Sequence, residues 1–289
     1  MQTVYRTLTY TSGSRYEGNL IGEKAQGRGT YWASEGWKYE GEWDNDQKHG
    51  YGVLTMPNGG KYEGNYFRDK MHGKGKETFN SGNVYDGDYF MGKKTGYGVM
   101  RYAGGDRYEG HWKDGLGEGY GVMNFSNGVR YAGHWHLDKY HGFGVMEYPD
   151  GKKYSGEWQN NVKAGQGTMN YSDGMVYTGD WVNNLGHGNG HIVFPNGEMY
   201  SGTWVNDKYD GFGLYSWPDG RRFEGTYVAG KKHGNGKFTS PDGTTCAGNW
   251  VNGVQQRSGN DSLSNQDARA IASLFIIMQR SEEYIFKLG

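Results

Sequence analysis

The sequence predicts an all-β protein in which repeated β-hairpins form one extended, twisted, single-layer antiparallel meander. An aromatic residue opens a repeat every 23 residues, from Tyr16 to Phe223, without insertion or deletion. Within each repeat, apolar or small residues alternate with polar ones, which is the period of a β-strand. Glycine supplies 53 of the 289 residues and recurs mainly at fixed sites of the repeat. A fixed period of this length is the signature of a repeat array.

The repeats define three segments: an array over residues 3–253, a linker over 254–265 and a C-terminal helix with its tail over 266–289. The array begins with half a repeat, because Leu8, Tyr10 and Gly13 match later positions. It ends with a truncated repeat that starts at Cys246. The ten full repeats between them begin at Tyr16, Tyr39, Tyr62, Tyr85, Tyr108, Tyr131, Tyr154, Tyr177, Tyr200 and Phe223.

One repeat illustrates the predicted hairpin. Tyr154–Trp158 form the first strand, Asn160–Ala164 form a turn and Gly165–Tyr171 form the return strand. Ser172–Gly174 then turn into the next repeat, where glycine supplies the positive φ that such turns favour. About 23 strands at roughly 4.8 Å each predict a ribbon on the order of 100 Å long.

Large aromatic residues share one face of this predicted sheet with the strand glycines. Glycine inside a strand is unfavourable by up to about 1 kcal/mol relative to alanine. The aromatic rings offer a reason, because they can lie flat over backbone without side chains and add roughly 0.5–1.5 kcal/mol per ring pair. We expect an aromatic groove on this face, formed by Tyr108, Trp112, Tyr131, Trp135, Tyr154, Trp158, Tyr177, Trp181, Tyr200 and Trp204.

The C-terminal segment has the pattern of an amphipathic helix. Ser264–Asp267 resemble a capping box, and apolar residues then follow at helical spacing. The pattern predicts a helix over residues 266–280 that caps the last repeats, with a helix that docks on a partner as the alternative. The apolar residues of this helix are Ile271, Leu274, Phe275 and Met278, preceded by Ala268.

Composition excludes several classes of function. A net charge of −1 gives no general attraction to nucleic acid. A single cysteine, Cys246, excludes an internal disulfide. The first ten residues lack an apolar signal region, and the longest aliphatic run, Leu274–Met278, is too short to cross a bilayer. We therefore expect a soluble, cytoplasmic protein.

The recurring histidines, such as His49 and His72, do not predict a metal site. Equivalent residues of successive repeats lie roughly 9–10 Å apart, whereas zinc ligands lie about 2.0–2.3 Å from the metal. The glycines occupy strands and turns and form no phosphate-binding loop before a helix. The row of acidic residues at Glu17, Glu40 and Glu63 has the spacing of a solvated stripe. The sequence thus predicts no cofactor, no metal and no enzymatic activity.

Lysines recur in the turn after the first strand and predict a basic edge that could bind anionic lipid headgroups, at about 1 kcal/mol per charge. Aspartates in the same turns, such as Asp46 and Asp138, oppose this charge. The predicted lipid edge comprises Lys70, Lys93, Lys94, Lys139, Lys208, Lys231 and Lys232.

The face opposite the aromatic rows carries a second candidate surface. This face is polar in most repeats, but three consecutive repeats are apolar at the same two positions. We expect a contiguous protein-docking patch of several hundred Å². The alternative is that hairpins favour tyrosine and valine there regardless of function. The patch comprises Tyr97, Val99, Tyr120, Val122, Phe143 and Val145.

The motif Tyr39–Trp43 (YEGEW), a turn, and His49–Gly52 (HGYG), repeated every 23 residues over 3–253, resembles the MORN repeat family. This resemblance implies hairpin arrays that act as scaffolds or adaptors, in settings that include junctional membrane proteins, lipid kinases, a lysine methyltransferase, parasite cytoskeletal rings and axonemal radial-spoke heads. Its enzyme members carry a separate catalytic domain, for which the residues beyond the repeats leave little room.

From this resemblance we expect a cytoplasmic scaffold in a cytoskeletal or axonemal assembly of a cilium or flagellum, such as a radial spoke. Its partners would be other proteins of that assembly. A second copy could also pair through the open sheet edges or the tail helix. Two alternatives remain: a membrane-associated tether that binds phosphoinositides, and a regulatory subunit of an enzyme.

Overall fold

The structure, a computed structural model, describes residues 2–256 and is all-β. It contains 23 antiparallel strands in hairpin repeats, and no helix occurs in this range. The predicted fold class is confirmed for the repeat array. The capping helix predicted over 266–280 lies outside the described residues. The strand pattern continues into the first residues of the predicted linker, because Val254–Gln256 form the last strand.

The contacts between residues divide the chain into two compact units. The first holds the described residues up to Pro149 together with Trp158–Asn161, and the second holds Asp150–Glu157 and the residues from Val162 onward. Within each unit, every strand pairs with the next strand along the chain. Such local pairing needs only short turns as connections.

The first thirteen strands are β1 (Val4–Thr9), β2 (Arg15–Ile21), β3 (Lys24–Trp32), β4 (Lys38–Asp44), β5 (Gln47–Thr55), β6 (Lys61–Phe67), β7 (Lys70–Thr78), β8 (Val84–Phe90), β9 (Lys93–Arg101), β10 (Arg107–Lys113), β11 (Leu116–Asn124), β12 (Arg130–His136) and β13 (Lys139–Glu147). The remaining strands are β14 (Lys153–Gln159), β15 (Val162–Asn170), β16 (Val176–Val182), β17 (Leu185–Val193), β18 (Met199–Val205), β19 (Lys208–Ser216), β20 (Arg222–Val228), β21 (Lys231–Thr239), β22 (Thr245–Val251) and β23 (Val254–Gln256).

The turn inside each repeat is shorter than the sequence predicted. The expected turn Asn160–Ala164 is wrong, because only Asn160 and Asn161 form it and β15 already begins at Val162. Both asparagines have positive φ, 51° and 72°, as a two-residue type I′ turn requires. The turn Ser172–Gly174 between repeats agrees with the prediction: Gly174 has φ of 90°, and the amide of Tyr171 donates to the carbonyl of Met175.

A β-bulge follows the short turn and was missed by the sequence analysis. Between β10 and β11 the register shifts after Gly110, and Trp112 pairs with Gly117. Gly119 lies in this irregular stretch with φ of 78°, a conformation that L side chains rarely adopt. The bulge explains why the first glycine of each His-Gly-x-Gly motif is required by the backbone.

Tyrosine rings pack directly on paired glycines and form the core. A Cβ added to Gly121 would lie 2.4 Å from the hydroxyl of Tyr108, and one added to Gly110 would lie 2.5 Å from the Cα of Gly121. The Tyr108 hydroxyl donates to the carbonyl of His111 at 3.0 Å. The indole of Trp112 donates to the carbonyl of Gly98 on the neighbouring strand at 3.1 Å. The rings thereby satisfy backbone carbonyls while covering them.

The turn of each hairpin also binds the preceding hairpin. The amide of Asp138 donates to the carbonyl of Gly117 at 3.1 Å, and the amide of Gly117 donates to Oδ1 of Asp138 at 2.6 Å. The same pair of bonds joins Asp207 to Gly186 in the second unit. These contacts fix neighbouring hairpins to one another beyond the strand ladder.

Replacing Gly121 with alanine tests the contact between ring and glycine. We expect Gly121→Ala to lower the free energy of unfolding by about 1–3 kcal/mol, because the new methyl group overpacks against the Tyr108 ring. Gly104→Ala is the matched control, since a Cβ at Gly104 meets no atom within 4 Å. Denaturant unfolding followed by tryptophan fluorescence measures both variants. Equal stability of the two variants would contradict this account of the core.

Candidate protein-docking site

The predicted aromatic groove is wrong as an accessible surface. Its ten tyrosine and tryptophan side chains share one face, but all of them are buried. Ring centroids of Tyr108 and Trp112 lie 5.1 Å apart at 89°, and those of Tyr108 and Trp135 lie 5.0 Å apart at 83°. Burial raises the pKa of Tyr108 above its usual value. The alternation of residues correctly grouped these side chains, but the rings form the core and are not accessible to a ligand.

The predicted lysine edge divides between two faces. Lys93 is exposed at the edge, where its ammonium pairs with Oδ1 of Asp114 at 2.9 Å. Lys94 instead lies over aromatic rings, with Nζ 5.1 Å from the ring centroid of Tyr85 and 5.4 Å from that of Trp112. Lys232 is buried in the same manner over Trp217 and Phe223, whereas Lys70, Lys139 and Lys208 are exposed and Lys231 is partly exposed.

The lysines over the rings occupy one position of the repeat, nine residues after its opening aromatic residue. Lys48 and Lys163 share this position with Lys94 and Lys232, and their place on the core face was not predicted from the sequence. Two other repeats place a tyrosine there, as with Tyr140, whose ring stacks on Tyr131 at 4.0 Å. In these six repeats the position covers the opening ring with either a second ring or a long aliphatic stem, whereas other repeats have Ala25, Gly117 or Gly186 there.

Lys163 has a strongly lowered pKa. Its Nζ lies 5.0 Å from the ring centroid of Tyr154 and 4.9 Å from that of Trp181. Burial lowers its pKa to about 8, and the charge of Asp207 only partly offsets this effect.

The face opposite the core presents an exposed aromatic row, defined as Tyr97, Tyr120 and Phe143. Their side chains are between 47% and 57% exposed, although each is large and apolar. His111 pairs with Tyr97 across strands, and His134 pairs with Tyr120. The two imidazoles meet the tyrosine rings edge-on, with centroids 5.8 Å and 6.0 Å apart. The strand ladder thus aligns aromatic residues and histidines across β9 to β13.

The three valines of the predicted patch lie beside this row but are not adjacent to one another. Glu109 pairs with Val99 on one side and with Val122 on the other, and Ala132 stands between Val122 and Val145. The predicted apolar patch is therefore interrupted by one carboxylate. The Tyr97 hydroxyl donates to Glu109 at 2.7 Å. This bond, together with Arg107, holds the pKa of Glu109 below its usual value.

The exposed side chains of this patch are mainly aromatic and aliphatic. Across residues 2–256, no group of three histidine, cysteine or acidic side chains is arranged to hold a metal ion. The same part of the chain contains no helix long and apolar enough to span a bilayer. The patch presents aromatic side chains on paired strands, with the carboxylate of Glu109, bound by Tyr97, between its valines.

Comparison with known proteins identifies the repeat. A family model, described as the MORN repeat, matches residues 39–61, 62–84, 85–107, 108–130, 131–153, 154–176, 177–199, 200–221 and 223–245. No curated protein matches the chain.

The solved structures that the chain resembles include two domains. The TCP10 domain of Danio rerio CPAP in complex with a STIL peptide is 15% identical, with 72% of this chain and 95% of that chain covered and a TM-score of 0.39. The SAS-4 TCP domain of Drosophila melanogaster, in complex with a proline-rich motif of Ana2, is 12% identical, with 54% and 85% covered and a TM-score of 0.35.

The buried ammonium of Lys163 predicts a pH-dependent stability difference. Its folded pKa of about 8 is below the usual lysine value, so the charged form opposes folding below pH 8, and this opposition is lost as pH rises toward about 10.4. Lys163→Met keeps an apolar stem without the charge. We expect Lys163→Met to be more stable than the wild type at pH 7, with a difference that shrinks between pH 8 and pH 10.

Thermal unfolding at a series of pH values measures this difference. Lys208→Met is the control, because Lys208 is exposed and its replacement removes no buried charge. A difference between Lys163→Met and the wild type that does not change with pH would show that desolvation of the ammonium is not its cause.

Proposed function

The chain belongs to the MORN repeat family, and we propose that it is a non-enzymatic scaffold or adaptor that binds other proteins through its exposed aromatic row. The observation that carries this proposal is the exposure of Tyr97, Tyr120 and Phe143 in three consecutive repeats. Large exposed apolar patches on soluble proteins mark interaction sites. Aromatic residues are also the side chains that contribute most to binding energy at interfaces.

The structure of the site supports binding with little loss of side-chain conformational entropy. The aromatic residues project from paired strands, and the Tyr97 hydroxyl is already held by Glu109. Tyrosine and phenylalanine have few rotatable bonds, so fixing them on a partner costs less entropy than fixing long flexible side chains. Glu109 adds a polar contact that a partner must match, which gives the site selectivity.

We place this scaffold in the cytoplasm, within a cytoskeletal or axonemal assembly such as a radial spoke. The support for this placement is the resemblance to the MORN family and the accessible docking row. Separation of native cells into cytoskeletal, soluble and membrane fractions tests it. We expect recovery in the cytoskeletal fraction; recovery in membranes that salt releases would instead favour a lipid tether.

The lipid tether has less support from the structure. Lys94 and Lys232 face the aromatic core, and Lys93 is paired with Asp114. The aspartates Asp138 and Asp207 are bound to backbone amides in the same turns and keep their negative charge near the remaining lysines. The basic edge is therefore smaller than the sequence indicated.

A double substitution in the aromatic row tests the docking function. We expect Tyr120→Ser with Phe143→Ser to leave the unfolding midpoint nearly unchanged, because both side chains are about half exposed. Recovery of binding partners should fall about tenfold or more, since truncation of a hot-spot aromatic residue costs about 2 kcal/mol or more. Quantitative mass spectrometry of proteins captured from native cells measures this loss.

Tyr51→Ser is the matched control for this experiment. Tyr51 occupies the same repeat position and is 53% exposed, but it lies outside the three consecutive apolar repeats. It should retain the partners of the wild type. Equal recovery with the double variant and the wild type would overturn the docking role of the row.

A further inference from the structure

Four valines form an exposed line in the second compact unit, here called the valine stripe: Val182, Val205, Val228 and Val251. They are the same residue of four consecutive repeats and end the strands β16, β18, β20 and β22. Their side chains are between 39% and 48% exposed. Two further exposed apolar residues extend the stripe, because Leu185 pairs with Val182 and Val254 pairs with Val251.

The hairpin itself does not require valine at this position. Earlier repeats hold Asp44, Lys113, His136 and Gln159 at this position as well as Ile21, Phe67 and Phe90, so the hairpin accepts polar and apolar residues there. Strand propensity alone therefore does not explain four consecutive exposed valines. An aligned apolar stripe of this kind is expected where another segment covers it.

The chain itself supplies a segment that fits the stripe. Beyond Gln256 the sequence continues for 33 residues, from 257 to 289. The last described strands, β22 and β23, carry Val251 and Val254, so the chain leaves the array at one end of the stripe. The nine residues 257–265 can span up to about 30 Å, which reaches the neighbouring valines.

The spacing of the valines also agrees with the spacing of apolar residues along a helix. Successive valines stand two strands apart, or about 9.6 Å. Seven residues of a helix rise about 10.5 Å. The segment 266–280 lies outside the described residues, but its sequence has apolar pairs seven residues apart, Ala268 with Phe275 and Ile271 with Met278.

Two lysines also line the stripe. Lys208 and Lys231 pair with Val205 and Val228 and add their aliphatic stems to it. We propose that residues 266–280 bind the valine stripe of the same chain and cover the last four repeats. Such a cover would protect the final strands from pairing with other chains.

Disulfide trapping in the full-length chain tests this contact. Cys246 is the only cysteine, so a Cys246→Ser background allows two cysteines to be introduced without competition. Phe275→Cys combined with Val228→Cys should form an intramolecular disulfide under mild oxidation at low protein concentration. The control combines Phe275→Cys with Asn235→Cys, which is exposed in the same repeat but away from the stripe. Non-reducing gels and peptide mass spectrometry measure the rate of each.

We expect the disulfide with Val228→Cys to form at least tenfold faster than the control disulfide. Adding Val205→Ser should slow it, whereas adding Val122→Ser in the docking patch should not. Equal rates for the two pairs would overturn the proposal, because the tail would then contact the surface without preference. Disulfides only between chains would also overturn it and would assign the stripe to a second copy. None of these outcomes depends on partner binding by the aromatic row.

Discussion

A tyrosine ring held against two glycines of paired strands is the contact on which the rest of the structure depends. The ring of Tyr131 shows the constraint: a Cβ on Gly133 or Gly144 would lie 2.6 Å or 2.4 Å from its hydroxyl. The hydroxyl also donates to the carbonyl of His134 at 2.8 Å. The sheet thus buries its largest side chains on its own backbone, which offsets the cost of glycine in strands.

This arrangement commits one face of each hairpin to stability and leaves the other face exposed. Tyrosine, tryptophan and the stems of Lys94 and Lys163 fill the first face. A substitution there changes contacts with the opening ring and with the neighbouring hairpin. On the opposite face, neither the aromatic row nor the valine stripe supports a ring of the core. Both surfaces can therefore vary with little effect on folding.

The sequence predicts the strands, their faces and the repeat boundaries because alternation and a strict 23-residue period record backbone geometry directly. The sequence does not predict how exposed a side chain is. It assigns Trp112 to the correct face of the sheet, but the burial of Trp112 depends on rings from neighbouring repeats. The bulge at Gly119 was missed because the return strand was started at this glycine position and given strict alternation, although the invariant first glycine of the motif was a signal for it. Lys94 was assigned to an edge because its long stem was ignored.

The positions that vary between repeats carry the functional information. The same backbone site holds Lys74 in one repeat, Tyr120 in another and Gln166 in a third, each opposite a residue of the neighbouring strand. The hairpin accepts all three, so its geometry does not demand an aromatic residue there. The proposed docking function accounts for three consecutive aromatic residues, because one ligand could contact them together. The fold supplies regularly spaced positions, and the exposed side chains give each repeat its own surface chemistry.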